Sequence, residues 1–491
     1  MVRNNESKLN ASTISSLAWK LLERGGNAVV QMAVQVVMAR LLAPEQFGAL
    51  AVMLVFVNVG NVVVQSGLNT ALIQSQEADD ADFSTVFWMS LAVSVGLYAA
   101  IFLAAPAVAA FYAMPGITSP LRVLGVLLII NAYNAVQVAK VTRDLEMRKI
   151  FKATMASVVV SAALGIGFAL VGADLWALVV QQLAYQVVNC IALALQVDWR
   201  PRAVFRSDRA RVLFGFGWRL LASGLLDQGY QSLADLIIGK RFSPAQLGLV
   251  SQGKKYPQAV GSMLDGAIQP VMLSAVSRVQ DDRARVKRLV RRALKTSTFL
   301  IAPAMTLFAC CAPSLVPALL GAQWAEAVPF MQVYCMVYAL LPIHTANLQA
   351  LNGMGRSDLF LRLEIVKKTY GAVALLFCAF VLNDVRALVV SYLVTGAVST
   401  FVNAWPNRRV IGYSYGEQVR DICPAFIMAG IAAAGASAIG LFMLPALATI
   451  ALQIIVFATI YLGLALIFKI EAFSYLISTV KELVGAKRRV V

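Results

Sequence analysis

The sequence predicts an all-α membrane protein built from two related halves, and three observations support this prediction. Hydrophobic residues occupy 59% of the 491 positions and the mean hydropathy is +0.74, which is well beyond the range of soluble domains. About fourteen apolar runs follow one another, each long enough to cross a ~30 Å hydrocarbon core as a helix. A motif near the N-terminus is also repeated about 200 residues later, as in proteins with internal repeats.

The repeat relates residues 19–48 to residues 218–248. Trp19-Lys20-Leu21-Leu22 returns as Trp218-Arg219-Leu220-Leu221, and Pro44-x-Gln46-x-Gly48 returns as Pro244-x-Gln246-x-Gly248. The first match has an offset of 199 residues and the second has an offset of 200. Two matches at nearly the same offset indicate a duplicated unit rather than a coincidence in an apolar chain.

Apolar windows place the predicted spans along the whole chain. The runs do not alternate with a period of two, as the strands of a membrane barrel would. The first run is too long for the apolar region of a cleavable signal peptide. The spans are predicted near 13–41, 46–68, 83–111, 117–139, 150–172, 174–198, 212–240, 246–275, 296–321, 325–351, 359–382, 384–406, 420–443 and 445–468.

Basic residues predict the orientation of these spans. If the loops after even-numbered spans are cytoplasmic, 32 of the 42 lysines and arginines lie at the inner side or in the termini. Such a bias is typical of cytoplasmic loops, so both termini are predicted to be cytoplasmic. The formal net charge of +17 is explained by this placement, and a nucleic-acid partner is not predicted.

The even number of spans in each half predicts repeats of the same orientation, related by a pseudo-two-fold axis along the membrane normal. We therefore divide the chain into an N-lobe of six helices (1–198), a C-lobe of six helices (212–406) and a C-terminal helix pair with a tail (407–491). A short basic linker, 199–211, joins the lobes. The charged segment 276–295 is predicted to be a cytoplasmic helix, with a helix on the lipid surface as the alternative.

Ionisable residues inside predicted spans are costly, so each is a candidate for function. They concentrate in the first, seventh and eighth spans. Five cations are candidates for lining a polar cavity: Lys254, Lys255, Arg219, Lys20 and Arg24. Four carboxylates are candidates for ion coupling or for ion pairing: Asp227, Asp235, Asp265 and Glu23.

Each group has a simpler alternative. Lys20, Arg24 and Arg219 lie near a tryptophan at the inner membrane surface, where cations commonly reach out to water. Lys254 and Lys255 lie about 15 Å from the start of their helix, which favours a polar cavity over a helix end that projects into water. For the carboxylates, the interpretation that we favour is structural ion pairing.

The sequence offers no signal for an enzyme. The six cysteines lie in or beside apolar runs and are interpreted as packing residues. The single histidine, His344, excludes a site with several histidine ligands, so neither a metal nor another cofactor is predicted. We find no nucleophile beside a base and no phosphate-binding loop, and the predicted outer loops are short. These features favour a transporter.

Several stretches resemble the polysaccharide transport family of Wzx-type flippases, in the multidrug/oligosaccharidyl-lipid/polysaccharide exporter superfamily. The most specific are VSRVQDDRARVK at 276–287 and PIHTANLQALNGMGRSDLFLRLEIVKK at 342–368. They look like the branch of lipopolysaccharide and colanic-acid biosynthesis exporters. Further matches are MARLLAPEQFGAL at 38–50, DLIIGK at 235–240 and NAWPNRR at 403–409.

This resemblance implies a bacterial inner-membrane flippase that moves an undecaprenyl-pyrophosphate-linked oligosaccharide by alternating access. In similar flippases, cations on the first, second, seventh and eighth helices line the cavity. Here the second span, 46–68, contains no cation, which is a departure from the lipid II flippases. Membrane lipids and the polysaccharide polymerase machinery are the further partners that we expect.

Two other functions stay open from the sequence. A drug antiporter of the same superfamily would favour acidic and aromatic residues in its cavity, whereas the candidates here are mainly cations. A membrane polysaccharide polymerase or ligase would normally need a larger outer loop than any predicted here.

Overall fold

The computed structural model describes residues 26, 30–65, 72, 79–442 and 444–478. Its main helices are α1 (Val30–Leu41), α2 (Pro44–Gln65), α3 (Asp80–Phe111), α4 (Thr118–Arg143), α5 (Met147–Leu170), α6 (Leu175–Gln196), α7 (Ser207–Arg241), α8 (Pro244–Ser277), α9 (Arg283–Leu319), α10 (Val328–Ala339), α11 (Leu341–Gly353), α12 (Ser357–Phe377), α13 (Val385–Ala404), α14 (Tyr415–Ala438) and α15 (Ala446–Ile467). The part of the chain that is described contains no β-strand. The predicted all-α class is therefore confirmed.

Twelve segments among the described residues are long and apolar enough to span a membrane. They correspond to every predicted span except 13–41 and 212–240. The first of these is described only at residue 26 and from residue 30 onward, and the second forms α7, a 35-residue helix that carries several charges. The chain is a multi-span membrane protein, but the count of fourteen spans is not confirmed.

The described residues form two compact units, Met1–Ser251 and Gln252–Val491. In the first unit, α7 packs against α2. The helix that follows the basic linker is therefore grouped, by its contacts, with the helices that precede the linker. The predicted lobes rest instead on the sequence repeat, and their boundaries at 198, 212 and 406 stay a prediction.

The two copies of the repeated motif contact each other. A Cβ atom built on Gly48 at the start of α2 would lie 1.8 Å from the carbonyl oxygen of Pro244, and one built on Gly248 would lie 1.9 Å from the carbonyl oxygen of Pro44. The contact is reciprocal, as a local two-fold axis requires. Only glycine allows the first turns of α2 and α8 to approach so closely.

Acidic and basic connections of the first unit also meet. Asp79 caps α3 in a capping box with Asp82, and its carboxylate lies 3.0 Å from Arg206. The hydrogen bond from the Asp82 amide, together with Arg206, outweighs desolvation and holds the pKa of Asp79 below its ordinary value. Asp80 and Asp82 lie 3.8 and 3.7 Å from Arg202 and Arg209. The loop after the second predicted span therefore contacts the connection after the sixth.

The structure divides the basic segment 276–295, which was predicted to be a cytoplasmic helix, between the end of α8 and the start of α9. A turn near residues 278–282 ends α8, the side chain of Asp282 caps the next helix, and α9 then continues without a break from Arg283 to Leu319. The basic residues are thus the first turns of a long membrane helix. No glycine or early proline separates them from the apolar part, which explains why the helix does not stop.

Candidate substrate-binding site

Lys254 and Lys255 lie in α8, ten and eleven residues after Pro244. At 1.5 Å per residue this is about 15 Å along the helix. The Lys254 side chain is half-buried and the Lys255 side chain is exposed, although Gly253 and Tyr256 on either side are buried.

The packing of α8 explains this difference in exposure. Gly253 lies against Phe330 of α10, where an added Cβ would be 2.9 Å from the phenylalanine Cβ, and Gly261 lies equally close to Tyr338. These glycines are eight residues apart and therefore share one face of the helix. Lys255 is two residues beyond Gly253, about 200° around the helix, so its side chain points away from α10.

Neither lysine has an ion-pair partner among the residues that the structure describes. An ammonium group in a membrane helix without a carboxylate partner is costly to desolvate. It is stabilised when it faces water or an anionic ligand. The two lysines can therefore bind an anion with up to three donors each.

Asp265 lies on α8 ten residues after Lys255 and is half-buried. The hydroxyl of Thr345 in α11 donates a hydrogen bond to its carboxylate. Among the described residues the partner of Asp265 is thus a hydroxyl and not a cation. This contact leaves the second carboxylate oxygen available for a proton or a cation.

The structure describes the other candidate residues only in part. Asp227 in α7 is exposed and accepts a hydrogen bond of 2.6 Å from Gln231, and Asp235 in the same helix is half-buried. Arg219 also lies on α7, but its side chain is outside the described part of the structure. Three candidates on the first predicted span lie entirely outside the described residues: Lys20, Glu23 and Arg24.

An ion pair in α12 was not singled out from the sequence. The Lys367 ammonium lies 2.5 Å from the Glu364 carboxylate, and their side chains are only 14% and 24% exposed. Lys367 is ten residues from the start of α12, about 15 Å along the helix. The same criterion that selected the cations of the eighth span, charge inside an apolar window, would have selected this pair.

Neutral amides join helices within each unit. Asn131 of α4 donates a hydrogen bond of 2.7 Å to Asn61 of α2. In the second unit, the fully buried Asn347 exchanges two hydrogen bonds of 2.8 and 2.9 Å with Gln418 and accepts a third, of 2.7 Å, from Asn407. Such bonds between buried amides fix the relative position of helices in a membrane.

An ion-pair network connects the start of α9 to α14. Arg291 donates two hydrogen bonds of 2.7 Å to Asp421, whose side chain is only 4% exposed. The Tyr413 hydroxyl donates a third bond to the same carboxylate, at 2.7 Å. Lys295 lies between Asp421 at 3.4 Å and Glu471 at 2.8 Å. The hydrogen bond from Lys295 holds the pKa of Glu471 below its ordinary value.

Replacing Asp421 with alanine is expected to destabilise the protein by about 2 kcal/mol, because Arg291 and the Tyr413 hydroxyl lose their shared acceptor. The estimate stays below that for a fully buried pair because the Arg291 side chain is 49% exposed. The thermal midpoint of the purified protein in detergent measures the effect. Asp358→Ala is the matched control, since it removes an ion pair of 3.0 Å whose side chains are 46% and 50% exposed and which should contribute little. Equal midpoints for the two variants would contradict this assignment.

Comparison with known proteins identifies the family of this chain. The sequence profile described as polysaccharide biosynthesis protein matches residues 37–329. The chain belongs to this polysaccharide biosynthesis protein family. The match includes both Pro-x-Gln-x-Gly segments of the repeat and the cations of α8, so the resemblance seen in the sequence is confirmed at the level of the family.

Two curated relatives cover most of the chain. The succinoglycan biosynthesis transport protein ExoT of Rhizobium meliloti (strain 1021) is 24% identical over 370 residues, which are 74% of this chain and 75% of the relative. The lipopolysaccharide biosynthesis protein WzxC of Escherichia coli (strain K12) is 20% identical over 432 residues, 86% of each chain. Neither relative is named as an enzyme.

The fold is that of a solved flippase structure. The inward closed conformation of the lipid II flippase MurJ superposes on this family member with a TM-score of 0.75, covering 92% of this chain and 98% of that one. The sequence identity is only 9%, so the likeness shows the fold alone. It agrees with the predicted architecture of the exporter superfamily.

Proposed function

We propose that the protein is a flippase that moves an undecaprenyl-pyrophosphate-linked oligosaccharide across the bacterial inner membrane, for the synthesis of a surface polysaccharide. The observation that carries the proposal is the Lys254–Lys255 pair, which lies deep in a membrane helix and has no ion-pair partner among the described residues. Membership of the family, a relative named as a transport protein and a fold shared with a lipid II flippase support it.

The chemistry of the substrate accounts for the cations. A pyrophosphate bearing sugars cannot enter hydrocarbon unaided, because the burial of unpaired charge costs many kcal/mol. Lysine and arginine side chains replace the water around the phosphates, while the polyprenyl tail stays in the lipid. An interior-negative potential favours outward movement of an anion by about 2.3 kcal/mol per charge per 100 mV.

Alternating access between an N-lobe (1–198) and a C-lobe (212–406) is the proposed mechanism. The reciprocal contact of Gly48 and Gly248 supports the underlying repeat. Lys20, Arg24 and Arg219 complete the cationic surface in this proposal, and Asp227, Asp235, Asp265 or Glu23 couple transport to an ion. The ion pair of Glu364 and Lys367 is a further charged element of the membrane interior.

The proposed orientation has both termini in the cytoplasm. The ion pairs that join the loop after the second predicted span to the connection after the sixth agree with both loops lying on one side, and the choice of the cytoplasmic side rests on the excess of basic residues. A cysteine introduced at Arg285 of an otherwise cysteine-free variant is expected to resist a membrane-impermeant maleimide in intact cells and to react after the inner membrane is opened. Labelling of intact cells would overturn the orientation.

Two rival functions are less well supported. A drug antiporter that accepts cationic compounds would be hindered by two ammonium groups on α8 that have no ion-pair partner in the described part of the chain. A polysaccharide polymerase or ligase is not suggested by the relatives, one of which is named as a transport protein. In our proposal the polymerase machinery is a partner that receives the translocated substrate.

Depletion of the protein in cells tests the proposed function. Radiolabelled undecaprenyl-pyrophosphate oligosaccharide is expected to accumulate in the inner leaflet, and restoring the protein should relieve the accumulation. Normal movement to the outer leaflet combined with failed chain extension would contradict the proposal and indicate a role in polymerisation.

A further inference from the structure

A cavity of about 540 Å³ lies in the first unit where four connections meet. They are the connections between α1 and α2, between α3 and α4, between α5 and α6, and between α7 and α8, which all follow odd-numbered predicted spans. In the proposed orientation they face the outside of the inner membrane. The volume is within the range of pockets that hold small ligands.

Three polar side chains line this cavity: Glu45, Gln46 and Asp174. Glu45 and Asp174 are exposed and form no ion pair with any residue that the structure describes. The amide oxygen of Gln46 is buried and also lacks a hydrogen-bond partner within the described ranges. A buried acceptor without a donor is costly unless a ligand or water supplies one.

Asp174 has an unusual conformation. It precedes α6 at the N-cap position, where an aspartate normally accepts a backbone hydrogen bond. Here its side chain makes no such bond, and its backbone has a φ of 44° and a ψ of −119°. The carboxylate is thus available to the cavity at the cost of a strained backbone, a combination found at binding sites.

An aromatic side chain and a glycine also line the cavity. Trp176 is 39% exposed and lines the cavity together with Gly116. A Cβ atom added to Gly116 would have no atom within 4 Å. The space beside Gly116 is therefore not filled by neighbouring side chains. An indole presents a flat apolar face that can pack on the C–H face of a sugar ring.

We propose that this cavity binds the glycan of the lipid-linked oligosaccharide on the outer side, after translocation. The inference rests on the proposed function. Carboxylate and amide oxygens accept hydrogen bonds from sugar hydroxyls, and charged acceptors form the stronger bonds. Two carboxylates repel phosphate and acidic sugars. The ligand is therefore a neutral, hydroxyl-rich part of the glycan and not the pyrophosphate.

The site has a role separate from that of the lysines in α8. It holds the sugars while the pyrophosphate leaves the cations, which lowers the chance that the glycan returns with its carrier. Glycan binding can be measured without any translocation, because it requires neither the lipid tail nor a membrane potential. The test of this site therefore differs from the test of the flippase.

The experiment uses the full-length protein in detergent and the oligosaccharide released from its lipid carrier by mild acid and freed of phosphate. Saturation-transfer NMR and intrinsic fluorescence report binding. We expect Asp174→Asn and Trp176→Leu each to weaken binding at least tenfold, and Gly116→Phe to abolish it by filling the cavity. Trp405→Leu, which removes a tryptophan that is 57% exposed and outside this cavity, should bind normally.

Three results would overturn the inference. These are the absence of glycan binding by a wild-type protein that translocates the lipid-linked substrate, binding that the cavity variants leave unchanged, and occupation of the cavity by calcium in place of the glycan. Binding that depends on Asp174 and Trp176 in a protein without translocase activity would leave the glycan site standing and remove the proposed function.

Discussion

Replacement of both Lys254 and Lys255 by alanine is expected to reduce glycan export at least tenfold at normal protein abundance. Each ammonium group that loses a charged hydrogen bond to phosphate removes about 1.5–3 kcal/mol of binding, and 1.4 kcal/mol corresponds to a factor of ten. Lys255 is exposed and has no described ion-pair partner, so its removal should leave no buried carboxylate unpaired. The folded state should therefore be little affected.

Export is measured as surface polysaccharide per cell, with abundance measured by immunoblot in the same samples. Lys254→Arg with Lys255→Arg keeps the charges and should retain most of the export. Lys149→Ala is a charge-removal control, because its ammonium pairs with Glu146 at 2.5 Å at the start of α5. Normal export by the double alanine variant would remove these lysines from the substrate site.

The substitutions Gly48→Ala and Gly248→Ala are each expected to lower the thermal midpoint and the yield of folded protein. The added methyl group would lie less than 2 Å from a proline carbonyl oxygen on the facing helix. Neither backbone can move without separating α2 from α8. Overpacking of this kind costs about 1–3 kcal/mol or more, which exceeds the gain of about 1 kcal/mol from replacing glycine by alanine in a helix.

Gly96→Ala provides the matched control for these variants. Gly96 lies inside α3, and its added Cβ would have no atom within 4 Å, so this variant should be as stable as the wild type or slightly more stable. Because Gly48 and Gly248 share one contact, the double variant should lose less than the sum of the single losses. Wild-type stability of both single variants would show that the two turns are not in contact.

The architecture was predictable because its signals are local. The apolar runs have the length of a membrane helix, and most described helices begin or end near a charged or capping residue such as Asp79 or Ser414. The repeat Pro-x-Gln-x-Gly was visible as a pattern. The physical reason for the repeat is a backbone contact between Gly48 and Pro244, and this contact was not predictable. No sequence signal joins positions about 200 residues apart unless they are recognised as copies.

The ion-pair network between α9 and α14 was hidden for the same reason. The partners of the basic segment, Glu417 and Asp421, lie 130 positions away from Lys287 and Arg291, so the segment looked like a free cytoplasmic helix. The outer cavity likewise combines four connections that are far apart in the sequence. By contrast, Glu364 and Lys367 lie three residues apart in α12, and a uniform search of the apolar windows would have found them.

Translocation by the purified protein tests the central claim most directly. The protein is reconstituted into vesicles that contain fluorescent undecaprenyl-pyrophosphate oligosaccharide in both leaflets, and the fraction accessible to an externally added quencher is followed over time. We expect vesicles with wild-type protein to exchange the lipid between leaflets at least ten times faster than protein-free vesicles, and those with Lys254→Ala and Lys255→Ala to resemble the protein-free ones. Equal exchange with and without the wild-type protein would contradict the proposal that this chain is a flippase.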